Sequence, residues 1–476
     1  MRDRRVALVL TLLLLAGTLI HALAGTAPPA TIVRHFTPAD RAIARYQYVP
    51  VEIPEGTGSL RITYQYDRAD GENVIDLGLF EPGPLDLGSR AFRGYSGGAR
   101  PGVTIDANGA TPGYRPGPLP AGRWHVLLGL YKVRATGVDV TIDIETKPGS
   151  PAAAPQAVEP VTPPDAEAPR WYMGALHTHT RHSDGARSPA ELMRVTREAG
   201  FDFVAITDHN NTTHRYELGP QLGQPAQPLW IVGEEVTTPG GHASVWGLDD
   251  DEWVDFRVSA GDGRIRELVD TAHRYGALFS INHPASDCLG CGWAHEVVEG
   301  IDGIEISNGR HGEVEQALAI WDRLLTSGRR IAAVGSSDWH SAATPIDVAN
   351  VRVYARALTV DGILGAIRRG HVIVMRSARD RTPEIVVRAG AHAARIGESL
   401  NVAPGTPMTV EVAAAGLAGA RLRVVANGQP ATEVVLDAAG RARVEQRAES
   451  GYVRFELYAA DGMLVAVTNP VYLVSL

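Results

Sequence analysis

Between residues 170 and 380, short apolar runs recur, and each ends in a cluster of histidine and carboxylate side chains. Residues 173–176 lead into His177, His179, His182 and Asp184, and residues 204–207 into Asp208 and His209. Residues 229–233 lead into Glu234 and Glu235 and then His242, residues 278–281 into His283, and residues 331–335 into Asp338 and His340. Helical patterns alternate with these runs. Ser188-Pro189-Ala190-Glu191 is a capping box with proline at the first helical position. Ile265, Leu268, Val269 and Ala272 share one helix face, and Val314, Leu318, Trp321 and Leu325 share another. Such strand–helix repetition predicts an α/β region built on a parallel sheet, open or closed into a barrel. The carboxyl ends of parallel strands converge on one face, so five clusters distant in sequence are expected to meet in one cleft.

Imidazole and carboxylate are the ligands suited to Zn²⁺, Mn²⁺ or Fe²⁺. The candidates number nine: His177, His179, Asp184, His209, Glu235, His242, His283, Asp338 and His340. One tetrahedral zinc takes four ligands, so the surplus predicts two or three divalent ions, zinc first with manganese or iron as alternatives. The two-residue spacing of His177 and His179 lets both rings leave a strand end on the same side. A single histidine is more often a satisfied polar residue than a ligand, but one cluster at every strand end has no such explanation. Structural zinc sites close at four ligands, whereas a surplus points to catalysis rather than to a binding module held together by metal.

The rest of the chain reads differently. Arg2, Arg4 and Arg5 precede an uncharged run over residues 6–24 that ends in Ala22-Leu23-Ala24. This is the layout of a signal peptide over 1–24, with an uncleaved anchor as the alternative, so the folded part is expected to be periplasmic or extracellular. Residues 25–148 alternate with period two, as in 59–66 and 138–144, and predict an N-terminal β-sandwich. Residues 149–169 form a proline- and alanine-rich linker, 170–382 the metal-binding domain, and 383–476 a second β-sandwich. No later segment is long and apolar enough to span a membrane. Net charge is −9, near −11 once the leader is removed, which argues against nucleic acid as the partner and for a small-molecule substrate. Oligomeric state is not legible. Cys288 and Cys291 are expected to pair, since the predicted compartment is oxidising.

In chain order, H-x-H-T-x-x-S-D-G at 177–185, T-D-H-N at 207–210, G-x-E at 233–235, N-H-P at 282–284 and S-D-W-H at 337–340 resemble the PHP (polymerase and histidinol phosphatase) metallohydrolase superfamily. The text at 233–242, 304–309, 344–345 and 369–371 resembles the exported CehA/McbA branch, which includes carbamate-ester hydrolases. The resemblance spans about residues 170–380. It implies a distorted (β/α)7-type barrel, here flanked by the two β-sandwiches, and the nine ligands named above. It also implies metal-dependent cleavage of an ester bond, phosphoric ester first, carboxylic or carbamic ester as the alternative, nuclease activity third. The G-x-E pattern selects Glu235 as the ligand, leaving Glu234 facing away or in support. His182 competes with Asp184, and the S-D-G text favours Asp184.

The chemistry expected of such a centre is attack by a hydroxide held between two cations, which also take up charge on the scissile group. Asp184, Glu235, Asp338, Asp208 and His242 are the candidate catalytic residues, Glu235 as a bridging carboxylate and Asp208 as a partner orienting an imidazole. No general acid is identifiable; His311 and His371 are candidates, and Arg310 is a candidate anion contact.

Overall fold

The computed structural model describes residues 29–149, 153, 155–162, 169–218, 227–250, 252–288, 290–309 and 313–475. The predicted leader, most of the proline-rich stretch around 150–168, and both Arg310 and His311 lie outside these residues. The chain is a mixed α/β protein in which strands dominate. Among the described residues no helix is long and apolar enough to cross a membrane.

The central sheet is built from β1 (Arg170–Ala175), β2 (Phe203–Ile206), β3 (Leu229–Thr238), β4 (Gly241–Trp246), β5 (Leu278–Ile281), β6 (Gly303–Asn308), β7 (Ala332–Ser336), β8 (Val348–Ala355) and β9 (Val372–Ser377). Its order is β7-β6-β5-β4-β3-β2-β1-β8-β9. The sheet is mixed, not parallel throughout: β4 is antiparallel to both neighbours, and β8 is antiparallel to β1 and β9. Reading the 229–233 run as a short strand missed this. The strand continues to Thr238 and turns at Gly241, whose φ of +128° favours glycine, into a hairpin. Because β4 only interrupts the order, β1, β2, β3, β5, β6 and β7 still point the same way and present their ends together.

The helices α1 (Pro189–Glu198), α2 (Ile265–Arg274), α3 (Val314–Thr326) and α4 (Val360–Arg368) bury one face each against this sheet. Ser188 and Glu191 form the reciprocal capping box that starts α1. Leu192, Val269, Trp321 and the sheet residues Val204, Trp230 and Ile304 belong to one apolar cluster.

The sheet curls back on itself. Thr178, beyond β1, bridges to Trp339, beyond β7. Asn469 accepts from the Ala333 amide at 2.8 Å and donates to the Ala333 and Val372 carbonyls at 2.9 and 3.0 Å, joining β7 to β9. This fully buried amide acts as a short stretch of strand. Asn469→Ala should therefore strand buried peptide groups and cost about 2–3 kcal/mol, measured as a lower midpoint in urea unfolding. An unchanged midpoint would refute this role.

Flanking the central sheet are β-structures on both sides. In the N-terminal region two antiparallel sheets of four strands share one apolar cluster that includes Ile62, Leu77, Trp124 and Ile142. In the C-terminal region Val387, Val410, Leu422 and Phe455 meet in another cluster. There the strand Leu464–Thr468 pairs with β9, so hydrogen bonding runs on from the central sheet. The N-terminal region docks through Phe92 on Trp253 at 4.8 Å and Tyr95 on Phe256 at 4.6 Å. From the proline-rich stretch, Glu159 reaches fully buried Arg215 at 2.5 Å.

Candidate metal centre

Each candidate side chain leaves the sheet at one end. His177 and His179 follow β1 with the expected spacing, and their Nε2 atoms lie 3.1 Å apart. His209 follows β2 and is held to β3 by a parallel bridge to Glu235. His242 begins β4, whose reversed direction brings its first residues to the same end. His283 follows β5, and Asp338 and His340 follow β7. Asn210, His283 and Asp338 have φ of +53°, +24° and +49°, a conformation that non-glycine residues adopt at a cost of about 1–3 kcal/mol and that clusters at functional sites.

All nine predicted ligands come together, in four overlapping groups: His179, Asp184, His209 and His340; His177, Glu235 and His283; His177, His179 and Asp338; His209, Glu235 and His242. Glu235 Oε1 lies 3.1 Å from His177 Nε2 and 3.2 Å from both His242 Nδ1 and His283 Nε2. Its Oε2 lies 2.8 Å from His209 Nδ1, and Asp338 Oδ1 is 3.2 Å from His179 Nε2. Such separations match the edges of a coordination polyhedron with bonds of about 2.0–2.2 Å. The imidazoles are pre-oriented for this. His177, His179 and His340 place Nδ1 on Glu305, Ser183 Oγ and the Asp338 carbonyl, which leaves Nε2 facing the cluster. Buried Glu235 Oε2 has no hydrogen bond aimed at it. The donor set thus fits divalent ions of the kind the sequence pointed to.

Two choices left by the sequence separate here. Glu234 points away, accepts the Val254 amide at 2.7 Å, and is pushed up to about 8 by burial. Burial acts on Glu235 in the same direction, but His177, His209 and His242 outweigh it and hold that carboxyl well below its usual range. Asp184 stands 3.1 Å from His340 Nε2, whereas buried His182 turns away from the cluster to Thr213 and Glu217 at 2.8 and 2.9 Å. Burial likewise opposes charge on His209, yet Glu235 and Asp184 carry it up to about 9. His179 is lowered to about 4, by burial first and then by His340 and His209.

Two further candidates lie away from the cluster. Asp208 Oδ2 stands 3.4 Å from His214 Nδ1. It accepts from Thr180 N and Oγ1 at 2.7 and 2.6 Å and from Ser183 Oγ at 2.7 Å, and so reaches His179 only through Ser183. His371 precedes β9 and lies at the opposite end of the sheet, lining a separate cleft with Arg330 and Arg369. It cannot serve as a general acid here.

Glu305 escaped the sequence reading because it lies inside a strand and not beyond one. It accepts from the His283 amide at 2.9 Å and from Asn308 Nδ2 at 3.0 Å, and its Oε1 is 3.3 Å from His177 Nδ1. Its alternation with Ile304 and Ile306 was the available signal, a charge on the inward side of an apolar strand. Glu305→Gln should weaken metal binding about 10- to 100-fold, read by competition with a chelator. Unaltered affinity would show that Glu305 merely packs there.

The cluster opens into a cavity of about 440 Å³. Asp184, His209 and His242 form its floor, and Tyr46, Tyr95 and Tyr131 of the N-terminal region stand in its wall. Cys288 and Cys291 are joined as a disulfide, and Cys291 also lines the cavity. Gly290 lies against Tyr131 so closely that a Cβ would sit 2.3 Å from its hydroxyl oxygen, which ties the disulfide loop to the N-terminal wall.

No family model matches the chain. An uncharacterised protein of Methanocaldococcus jannaschii is 26% identical over 148 residues, covering 29% of this chain and 81% of that protein. Among solved structures, a two-domain protein from Bacteroides vulgatus containing a predicted PHP-like metal-dependent phosphoesterase is 19% identical, with a TM-score of 0.37 over 66% of this chain and 99% of that one. An amidohydrolase from Chromobacterium violaceum is 16% identical, with a TM-score of 0.27 over 36% of this chain and 89% of that one. A candidate metal-dependent phosphoesterase from Bifidobacterium adolescentis is 18% identical, with a TM-score of 0.26 over 37% of this chain and 91% of that one.

Proposed function

We propose that this chain is an exported, PHP-type metal-dependent hydrolase of ester bonds, with phosphoric esters as the first substrate class. The observation that carries the reading is the convergence of six histidines and three carboxylates from separate strand ends into one cluster, three of which, Asp184, His209 and His242, form the floor of a cavity. Divalent cations bound there, zinc first, supply Lewis acidity and activate water near neutral pH. His177, His179, Glu235, His283 and Asp338 form the buried side of the centre, while Asp184, His209, His242 and His340 form its accessible side. Glu235, within reach of five histidines, would be the carboxylate that holds the ions together with them. Glu305 and Ser183 hold the imidazole rings in the orientation that binding requires.

One observation favours the second reading, a carboxylic or carbamic ester. The cavity is walled by tyrosines, and among the described residues its lining includes no arginine or lysine that would pair with a phosphate. The two are separated by a chromogenic panel of phosphomonoester, phosphodiester, carboxylic ester and aryl carbamate, run on zinc- or manganese-loaded protein with a chelated control. Metal-dependent turnover of the phosphates supports the first reading. Turnover of the ester or carbamate alone supports the second, and silence across the panel with metal bound refutes both.

A further inference from the structure

The wall of the cavity opposite the metal ligands contains a carboxylate that the chemistry above does not use. Asp76 lies on the N-terminal strand Val74–Phe80 and lines the cavity together with Tyr46, Tyr95 and Tyr131. Its Oδ2 accepts the Tyr95 hydroxyl at 2.7 Å. Its Oδ1 faces the Gly97–Gly98 turn, where an added Cβ would meet it at ordinary contact distance, 3.7–3.8 Å, and among the described residues no hydrogen bond is made to it. Among the described residues no arginine, lysine or histidine comes within ion-pair distance of Asp76. Burial raises its carboxyl to about 6, with Tyr95 and Arg45 opposing, and it is still mostly ionised at pH 7.

A desolvated carboxylate with no direct ion-pair partner is costly unless something supplies one. Tyrosine rings beside it attract a cation through their quadrupole, and an aromatic cage with a carboxylate is a recurrent way of holding an ammonium group. Three tyrosines and one aspartate therefore present a composition suited to a cation and poorly suited to an anion. Tyr95 and Tyr46 are braced from behind by Phe256, at 4.6 and 5.9 Å, so the wall is packed onto the central sheet.

We infer that Asp76, with Tyr46, Tyr95 and Tyr131, is a cation subsite that selects esters carrying an ammonium group away from the scissile bond. The inference rests on the hydrolase reading for its catalytic consequence, and on Asp76 and the tyrosines alone for binding. The N-terminal region is then part of the substrate site.

Two matched pairs test this: p-nitrophenyl phosphorylcholine against p-nitrophenyl 3,3-dimethylbutyl phosphate, and acetylcholine against 3,3-dimethylbutyl acetate. Within each pair the shape is the same and only the charge differs. Metal-loaded protein should prefer the ammonium member by at least about tenfold in kcat/KM. Asp76→Asn, which is nearly isosteric, should bring the ratio towards one, chiefly through KM. Tyr131→Leu should lower it without removing the carboxylate. Calorimetry with choline, on protein with and without metal, gives a readout independent of turnover: binding by wild type and its loss in Asp76→Asn are expected. Turnover with a ratio near one in wild type, or no choline binding, overturns the subsite. Choline binding without turnover of any ester overturns the hydrolase reading and leaves the subsite standing.

Discussion

Replacing Glu235 with glutamine should remove bound metal and lower kcat/KM by at least about a thousandfold, while Glu234→Gln leaves metal content intact. The two residues are neighbours on one strand, so any effect of local sequence or strand stability is shared between them. What differs is direction. Glu235 faces five histidines, and glutamine in its place offers one weaker oxygen and an amide that repels a cation. Glu234 faces the Val254 amide, away from the cluster. Its substitution replaces a carboxyl that burial already favours in the neutral form, so the cost in stability is small. Metal content by emission spectrometry and turnover on the best panel substrate read both variants. Retention of metal and activity by Glu235→Gln, with their loss in Glu234→Gln, would reverse the assignment.

Chelation should abolish turnover and lower the thermal midpoint by roughly 5–10 °C without unfolding the protein at room temperature. The centre lies beside large apolar clusters that do not depend on it, and each carboxylate in it already faces histidines that can carry the compensating charge. The fold is therefore expected to survive metal loss, with a far-ultraviolet spectrum unchanged and activity restored by adding zinc or manganese back. Collapse of the spectrum on chelation would show that the ions are structural. Turnover that persists in the stripped protein would remove the metal from the chemistry altogether.

Much of the centre was legible because its residues sit where a strand stops. A strand end is marked by the change from apolar to polar residues, and the side chains just beyond it cannot be explained by packing. That logic found His177, His179, His209, His283, Asp338 and His340. It also found Asp184, Glu235 and His242, with motif text choosing Glu235 over Glu234 and Asp184 over His182, although Glu235 and His242 belong to strands in the structure. It passed over Glu305 because a carboxylate within an apolar strand carries no mark of the partner it faces. It named Asp208 as the partner of an imidazole without saying which, because successive side chains diverge at a strand end and adjacency does not pick the ring. His371 was misplaced for a related reason: it precedes its strand, and only the direction of β9 in the sheet puts it at the far end.

Local rules determined the rest of what could be read. Alternation with period two separated the flanking β-structures from the strand–helix core, and the Ser188–Glu191 box placed the start of α1, because each depends only on residues a few positions apart. The tertiary structure alone decided the hairpin that makes the sheet mixed and the buried amide of Asn469 that draws β7 to β9. It alone set Tyr46, Asp76, Tyr95 and Tyr131 over a cluster that begins only at His177, in a different region of the chain. Their individual sequence contexts are those of ordinary strand residues. The physical reason is that packing of one region on another is governed by the shape and burial of whole surfaces, here the contacts of Phe92 and Tyr95 with Trp253 and Phe256, and these have no local period to betray them.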